Sequence, residues 1–228
     1  MTPRSPWTCV LWDVDGTIVD ASEGILTRLD RTLTDFGLPS PRPEELAHWI
    51  GPPLHVSFQE NADMTPEQAA EAVVHYRAIA RAHGFTEGAR TYPGIVELIA
   101  DLDAAGVAQA TASSKPEDQV VALMEHFGIA PHLRATVGES ADGRTLASKA
   151  AVIGEALQRL RAEGADTSRP ILVGDRHHDI EGAAEYGIPV VFARWGFSWP
   201  HESEGAHAVV DDVAQLRALL LVESGDEA

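Results

Sequence analysis

Asp13 and Asp15 stand two residues apart, directly after the apolar run Thr8-Cys9-Val10-Leu11-Trp12, and are followed by Gly16 and Thr17. Two carboxylates at the end of a buried strand have no place in an apolar core. They either face each other across a crevice or bind a cation. Gly16 permits the positive-φ turn that brings backbone groups close to a ligand. Three later clusters could join them: Ser113-Ser114-Lys115-Pro116, Ser148-Lys149 and Gly174-Asp175-Arg176-His177-His178-Asp179. Together they offer carboxylates, hydroxyls and a lysine, a set suited to holding an anion and a hard cation side by side.

The clusters act together only if the chain brings them to one edge, and the apolar pattern predicts that it does. Val107 to Ala112 reads as a strand ending at Ser113, and Ile171-Leu172-Val173 as a buried strand ending at Gly174. Ala135-Thr136-Val137 reads as a weak strand, with Ser148-Lys149 at the start of the helix after it. Pro189 to Ala193 and Val209-Val210 are further strands. Between them lie helical faces: Ile95, Leu98, Ile99 and Leu102; Val120, Leu123, Met124 and Phe127, ended by Gly128; Val152, Ile153, Ala156, Leu157 and Leu160. A short helix follows the strand at 171–173, and a last helix runs from Val213 to Leu221. Strands alternating with helices predict an α/β fold, a doubly wound, Rossmann-like parallel sheet covered on both faces. In such a sheet ligands sit at the carboxyl ends of the strands, where all four clusters fall.

Residues 20–89 interrupt this alternation. They show no β pattern and read as an all-helical insertion of several short helices, within a core made of residues 1–19 and 90–228. Thr65-Pro66-Glu67-Gln68 has the capping-box arrangement with proline at the first helical position, and Ala69 to Ala82 continues that helix. Gly37-Leu38-Pro39-Ser40-Pro41 and Gly51-Pro52-Pro53 punctuate the segment.

Composition excludes several classes. The chain has 228 residues, 44% of them hydrophobic and 23% charged, enough apolar surface for a core with a smaller insertion. A formal charge of −18 argues against a nucleic-acid partner, which needs a basic footprint. It also means that an anionic substrate must be drawn by a few local cations against the global field. No apolar run is long enough to span a bilayer, and the first six residues carry no signal-peptide core. The single cysteine, Cys9, cannot form an internal disulfide, and a cytoplasmic location is expected.

Taken in order, Asp13-Val14-Asp15-Gly16-Thr17, Ala112-Ser113-Ser114-Lys115-Pro116, Ser148-Lys149-Ala150-Ala151-Val152-Ile153 and Gly174-Asp175-Arg176-His177-His178-Asp179 resemble the four motifs of the haloacid dehalogenase-like (HAD) hydrolases, in their phosphoglycolate-phosphatase-like branch. Arg194-Trp195-Gly196-Phe197 and Ala206-His207-Ala208-Val209-Val210 look like that branch too. The resemblance covers nearly the whole chain. It implies a Mg²⁺-dependent phosphatase acting on a small phosphate monoester, with residues 20–89 as its helical cap and Ile50-Gly51-Pro52-Pro53-Leu54 as the cap loop facing the substrate.

The resemblance gives Asp13 the role of nucleophile, forming an aspartyl-phosphate, and Asp15 that of general acid and then base. Like charges 4 Å apart repel by about 4 kcal/mol at an effective dielectric near 20, so these carboxylates and a phosphate need a divalent cation between them. Mg²⁺ suits hard oxygen ligands. It would take the Asp13 carboxylate, the Asp15 backbone carbonyl and the Asp175 carboxylate, with Asp179 orienting that shell or binding through water. Ser113, the Ser114 amide and Lys149 would hold the non-bridging phosphate oxygens. Asp15 disfavours the dehalogenase branch, which lacks a second aspartate. The absence of lysine from residues 20–89 disfavours the phosphonatase branch, which needs a cap lysine. A phosphosugar mutase and a non-catalytic phosphate- or Mg²⁺-binding module are the alternatives.

The remaining polar residues receive plainer readings. Lys115 competes with Lys149 for the phosphate role, in which Lys149 is preferred, and otherwise lies at the mouth of the site. His177 and His178 belong to a solvated loop. Arg176 lines the entrance or forms a structural ion pair, and Trp195 and Trp199 serve packing and surface. The expected partner is a small phosphorylated metabolite, with neither nucleic acid nor membrane, bound by a monomer or homodimer.

Overall fold

Cys9-Val10-Leu11-Trp12 contains no charged side chain and forms a strand in which every residue is buried. The computed structural model describes residues 4–40, 42, 45, 49, 50, 54–140, 146 and 148–222. In chain order its elements are β1 (Cys9–Trp12), β2 (Val19–Asp20), α1 (Ser22–Asp35), α2 (Leu54–Ala62), α3 (Pro66–His83), β3 (Arg90–Thr91), α4 (Ile95–Ala104), β4 (Ala108–Thr111), α5 (Glu117–His126), α6 (Lys149–Ala162), β5 (Pro170–Gly174), α7 (His177–Ala184), β6 (Val190–Ala193), β7 (Ala208–Val210) and α8 (Val213–Leu220). A 3-10 turn spans Ala130–His132. No helix among the described residues is long and apolar enough to cross a membrane.

Five strands form one parallel sheet in the order β4-β1-β5-β6-β7. Trp12 stands level with Thr111 on one side and Val173 on the other, so three strands end at the same height around Asp13. On one face Cys9 and Leu11 pack with Val152, Ile153, Ala156, Leu157 and Leu160 of α6. The other face carries a buried polar group whose bonds are filled: Gln109 accepts from Trp12 Nε1 and donates to the Ile99 and His132 carbonyls. A buried amide in an apolar sheet persists only when satisfied in this way.

The expected strand at 135–137 is not one of the five. Its backbone follows β4, with Arg134 donating to Gln109 O, Thr111 to Ala135 O and Ser113 to Val137 O. The Val137 amide is diverted to the Thr111 hydroxyl at 2.7 Å, so the ladder breaks and an isolated bridge at Ala110 and Ala135 remains. The segment still matters to the site, because Glu139 exchanges backbone hydrogen bonds with Lys115 and Glu117 and so pins the loop after β4.

The chain divides into two compact units, Met1–Val19 with Thr91–Ala228, and Asp20–Arg90. The crossings pair as β2 and β3. Arg90 falls with the second unit, where it forms an ion pair with Asp20 at 2.6 Å. Within that unit α1 buries Ile25, Leu29 and Leu33 at four-residue spacing. α3 begins as its sequence demands: the Thr65 hydroxyl accepts from the Gln68 amide, and the Gln68 side chain accepts from the Thr65 amide. α3 spans 18 residues and matches the helix expected from the capping box through Ala82, and α1 spans 14. In the anticipated cap loop, Gly51, Pro52 and Pro53 lie outside the described residues.

Candidate active site

Three segments of the core unit, the loop after β1, the start of α6 and the junction of β5 with α7, bring Asp13, Lys149, Asp175 and Asp179 together. Asp13 directly follows β1 and keeps the strand direction by donating its amide to Val173 O. Lys149 opens α6, whose first turn is capped by the Ser148 hydroxyl accepting from the Ala151 amide. Its ammonium bridges Asp13 Oδ1 at 2.7 Å and Asp179 Oδ1 at 2.6 Å, with the lysine and both carboxylates nearly excluded from solvent. Asp179 is held by its other oxygen, which accepts from the Arg176 amide at the start of α7.

Asp175 lies at the floor, fully buried. It accepts from the Phe197 amide at 2.7 Å and from the Thr17 hydroxyl at 3.4 Å. Two glycines make room for it. A Cβ on Gly16 or on Gly196 would come within 2.2 Å of Asp175 Oδ2, and Gly16 also turns with φ +85°. Trp195, beside Gly196, donates its indole N–H to Thr17 O and ties the loop after β6 to the loop after β1.

Asp13, Asp175 and Asp179 each present an oxygen within 4.8 Å of the other two. The electrostatics follow from that crowding. Burial, with Asp13 and Asp179 close by, pushes the Asp175 carboxyl well above its ordinary value. Burial also raises Asp13, with Lys149 opposing the shift. Burial works against charge on Lys149, but Asp13 and Asp179 outweigh it and hold the ammonium protonated above its usual range. Three buried carboxylates facing one ammonium leave a surplus of negative charge, the condition that a hard divalent cation relieves.

The second loop holds the other lysine. Lys115 Nζ lies 2.8 Å from Asp15 Oδ2, and both side chains are largely buried. Lys115 is therefore a partner of the second aspartate and not a residue at the mouth. Its position comes from the backbone: its amide donates to the Ser113 hydroxyl, and its carbonyl accepts from Glu139. Ser113 is buried and Ser114 half-buried beside it. Lys115 and Lys149 are the chain's two lysines, and both lie among these carboxylates. Spacing alone could not have paired Lys115 with Asp15, because the pairing depends on the bend held by Glu139.

Arg176 is a structural ion pair. Its guanidinium takes both Glu202 oxygens, at 2.7 and 3.0 Å, and is almost fully buried. His177 and His178 open α7 in place of the expected solvated loop. His177 shares Glu202 at 2.9 Å, and burial with His177 and Arg176 alongside lowers the His178 pKa. Glu202, which organises this corner, carries no motif signal in the sequence. Burial, with Asp166 adding, pushes the Cys9 thiol up to about 11, so it remains a thiol.

A sequence model described as haloacid dehalogenase-like hydrolase matches residues 10–193. The tyrosine-protein kinase PtkA of Mycobacterium tuberculosis is 39% identical over 188 residues, 82% of this chain; the chain spans only 62% of the length of that relative. A 5'-nucleotidase of Pseudomonas aeruginosa is 34% identical over 92% of both chains. A phosphoglycolate phosphatase of Agrobacterium fabrum is 28% identical over the full length of both. Among solved structures, a predicted phosphatase from Clostridium acetobutylicum superposes with TM-score 0.84 at 32% identity, covering 92% of this chain and 96% of that one. PtkA superposes with TM-score 0.78 at 33% identity, with the same coverage.

Proposed function

The chain belongs to the haloacid dehalogenase-like hydrolases, and on that premise we propose that it is a Mg²⁺-dependent phosphatase of the cytoplasm that hydrolyses a small phosphate monoester through an aspartyl-phosphate on Asp13. The observation that carries the reading is the pairing of two aspartates with two different lysines. Asp13 meets Lys149, and Asp15 meets Lys115, so neighbouring carboxylates stand in separate environments. That separation lets one act as nucleophile and the other move protons.

Asp13 Oδ attacks phosphorus while Asp15 gives a proton to the departing alkoxide. Asp15 then takes a proton from the water that hydrolyses the acyl phosphate. Lys149 and the Ser113–Ser114 corner hold the non-bridging oxygens, whose charge is what catalysis of phosphoryl transfer must stabilise. The donor set fits a hard cation: Asp13, Asp175 and Asp179 would supply the carboxylates, and the family resemblance adds the Asp15 carbonyl. Bound there, Mg²⁺ would offset the repulsion between these carboxylates and the incoming phosphate.

A second reading rests on the 39% identity to PtkA: the phosphoryl group on Asp13 passes to a hydroxyl acceptor, such as a tyrosine, in place of water. One experiment separates the two. Phosphorylated metabolites, nucleoside monophosphates and phosphotyrosine are incubated with the full chain and Mg²⁺, and phosphate release is ranked by kcat/KM. Release from a small monoester, abolished in Asp13→Asn, supports hydrolysis. Label retained on a tyrosine or a sugar, with none in free phosphate, overturns it. Activity of Asp13→Asn within a few-fold of the unaltered chain would reject Asp13 as nucleophile.

A further inference from the structure

The unit Asp20–Arg90 contains a cavity of about 480 Å³, a volume typical of small-molecule sites. Arg28 of α1 lines it, and this residue is only 5% exposed. Its guanidinium folds back along its own helix: Nε donates to the Gly24 carbonyl at 2.7 Å, and the Tyr76 ring of α3 lies 5.8 Å from the guanidinium carbon. Gly24 is what lets it lie there, since a Cβ at that position would come within 2.6 Å of Arg28 Nη2. Among the described residues, neither terminal nitrogen of Arg28 has a hydrogen-bond acceptor or a carboxylate partner. A guanidinium is always charged, and each terminal nitrogen carries two donors in a planar fork. The Arg28 stem is buried while its terminal nitrogens open on the cavity, within reach of an oxyanion there.

We propose that this cavity binds a small molecule through an oxyanion group, a carboxylate or a phosphate, seated on the terminal nitrogens of Arg28. Arg31 and His83 line the same cavity, with Arg31 Nη1 3.5 Å from His83 Nε2, and add a second cationic group near the opening. Thr27 and Thr34 offer hydroxyls, and Ile79 an apolar wall. Glu23, Asp30 and Glu87 also line it and are exposed. Those three carboxylates disfavour a bare polyanion. They favour a ligand with one oxyanion group and a hydroxyl or ammonium at its other end. Every residue named lies in the unit Asp20–Arg90, which does not carry Asp13.

The test is a titration of the full, ¹⁵N-labelled chain, following the Arg28 and Arg31 Nε–H signals and the backbone amides of α1. Glycerol 3-phosphate, added without Mg²⁺, and lactate are the two probes, one for each oxyanion and each with a hydroxyl at its other end. A saturable shift of the Arg28 signal in the unaltered chain, with an affinity that weakens by about tenfold or more in Arg28→Lys when read on the Arg31 signal and the α1 amides, supports the site, since lysine keeps the charge and loses the fork. The probe that binds more tightly identifies the oxyanion. If Arg28→Lys fails to fold, Arg31→Ala on the exposed rim serves in its place, with a smaller loss expected. No saturable shift with either probe overturns the proposal. So does an unchanged affinity in Arg28→Lys, or a response confined to the amides around Asp13 and Ser113.

Discussion

Asp15 and Asp175 are both buried carboxylates of one loop cluster, yet their partners give them opposite sensitivities. Lys115 pairs with one oxygen of Asp15. Lys115→Met removes the contact that helps orient the Asp15 carboxyl toward the leaving group. A positioned acid or base contributes about 10²- to 10⁴-fold, and a misplaced one forfeits part of that. Lys115→Met should therefore lower kcat by roughly 10- to 100-fold with a smaller change in KM, measured by steady-state phosphate release. A change confined to KM would make Lys115 a substrate contact only. Asp175 has no lysine of its own, and its carboxyl is raised by burial and by Asp13 and Asp179. A raised acid favours the folded state when protonated, and that contribution is lost as pH rises past the ordinary carboxylate range of about 4 and through the folded value. The metal-free protein should thus melt at lower temperature at neutral pH than under mildly acidic conditions. Asp175→Asn should abolish turnover, raise the metal-free Tm at neutral pH and flatten that pH dependence. A fall in the metal-free Tm on this substitution would contradict the origin given to the shift.

At the scale of elements, the strands supply the platform and the loops between them set the distances. The loop after β6 shows how tight the fit is. Gly196→Ala brings a Cβ within 2.2 Å of Asp175 Oδ2, and the Phe197 amide that holds this oxygen is the next residue. Overpacking a buried site costs about 1–3 kcal/mol. Gly196→Ala should lower the unfolding free energy measured in urea by that amount and weaken Mg²⁺ binding seen by calorimetry. Wild-type Mg²⁺ affinity in this variant would show that the loop gives way freely. The elements were legible in the sequence wherever a local rule set them. The apolar run at 9–12 made β1, the Thr65–Gln68 capping box opened α3, and Ser148 capped α6. What escaped depended on side chains reaching across the fold. The Thr111 hydroxyl took the amide that would have made 135–137 a strand, and Glu139 bent Lys115 toward Asp15. Glu202, 26 residues along the chain from Arg176, turned an open choice into an ion pair. Asp13 and Asp175 were legible because each directly follows a buried strand, and Lys149 because it opens the helix that Ser148 caps.

For the whole molecule the decisive quantity is charge. The chain carries −18, and the proposed substrate is an anion. The two lysines lie among the carboxylates that they neutralise, so nothing in the long-range field draws the substrate in. The Debye length shrinks from about 30 Å at 0.01 M salt to about 8 Å at 0.15 M. Carboxylates spread over the surface are therefore screened, while Lys115 and Lys149, within a few ångströms of a bound phosphate, keep most of their effect. Raising ionic strength over that range at constant free Mg²⁺ should increase kcat/KM for a dianionic monoester several-fold, with kcat little changed. The increase should be smaller for the same ester measured in its monoanionic form. A kcat/KM that falls with salt would mean that the lysines and Arg176 dominate the approach. The acidic surface would then lie where the substrate does not pass.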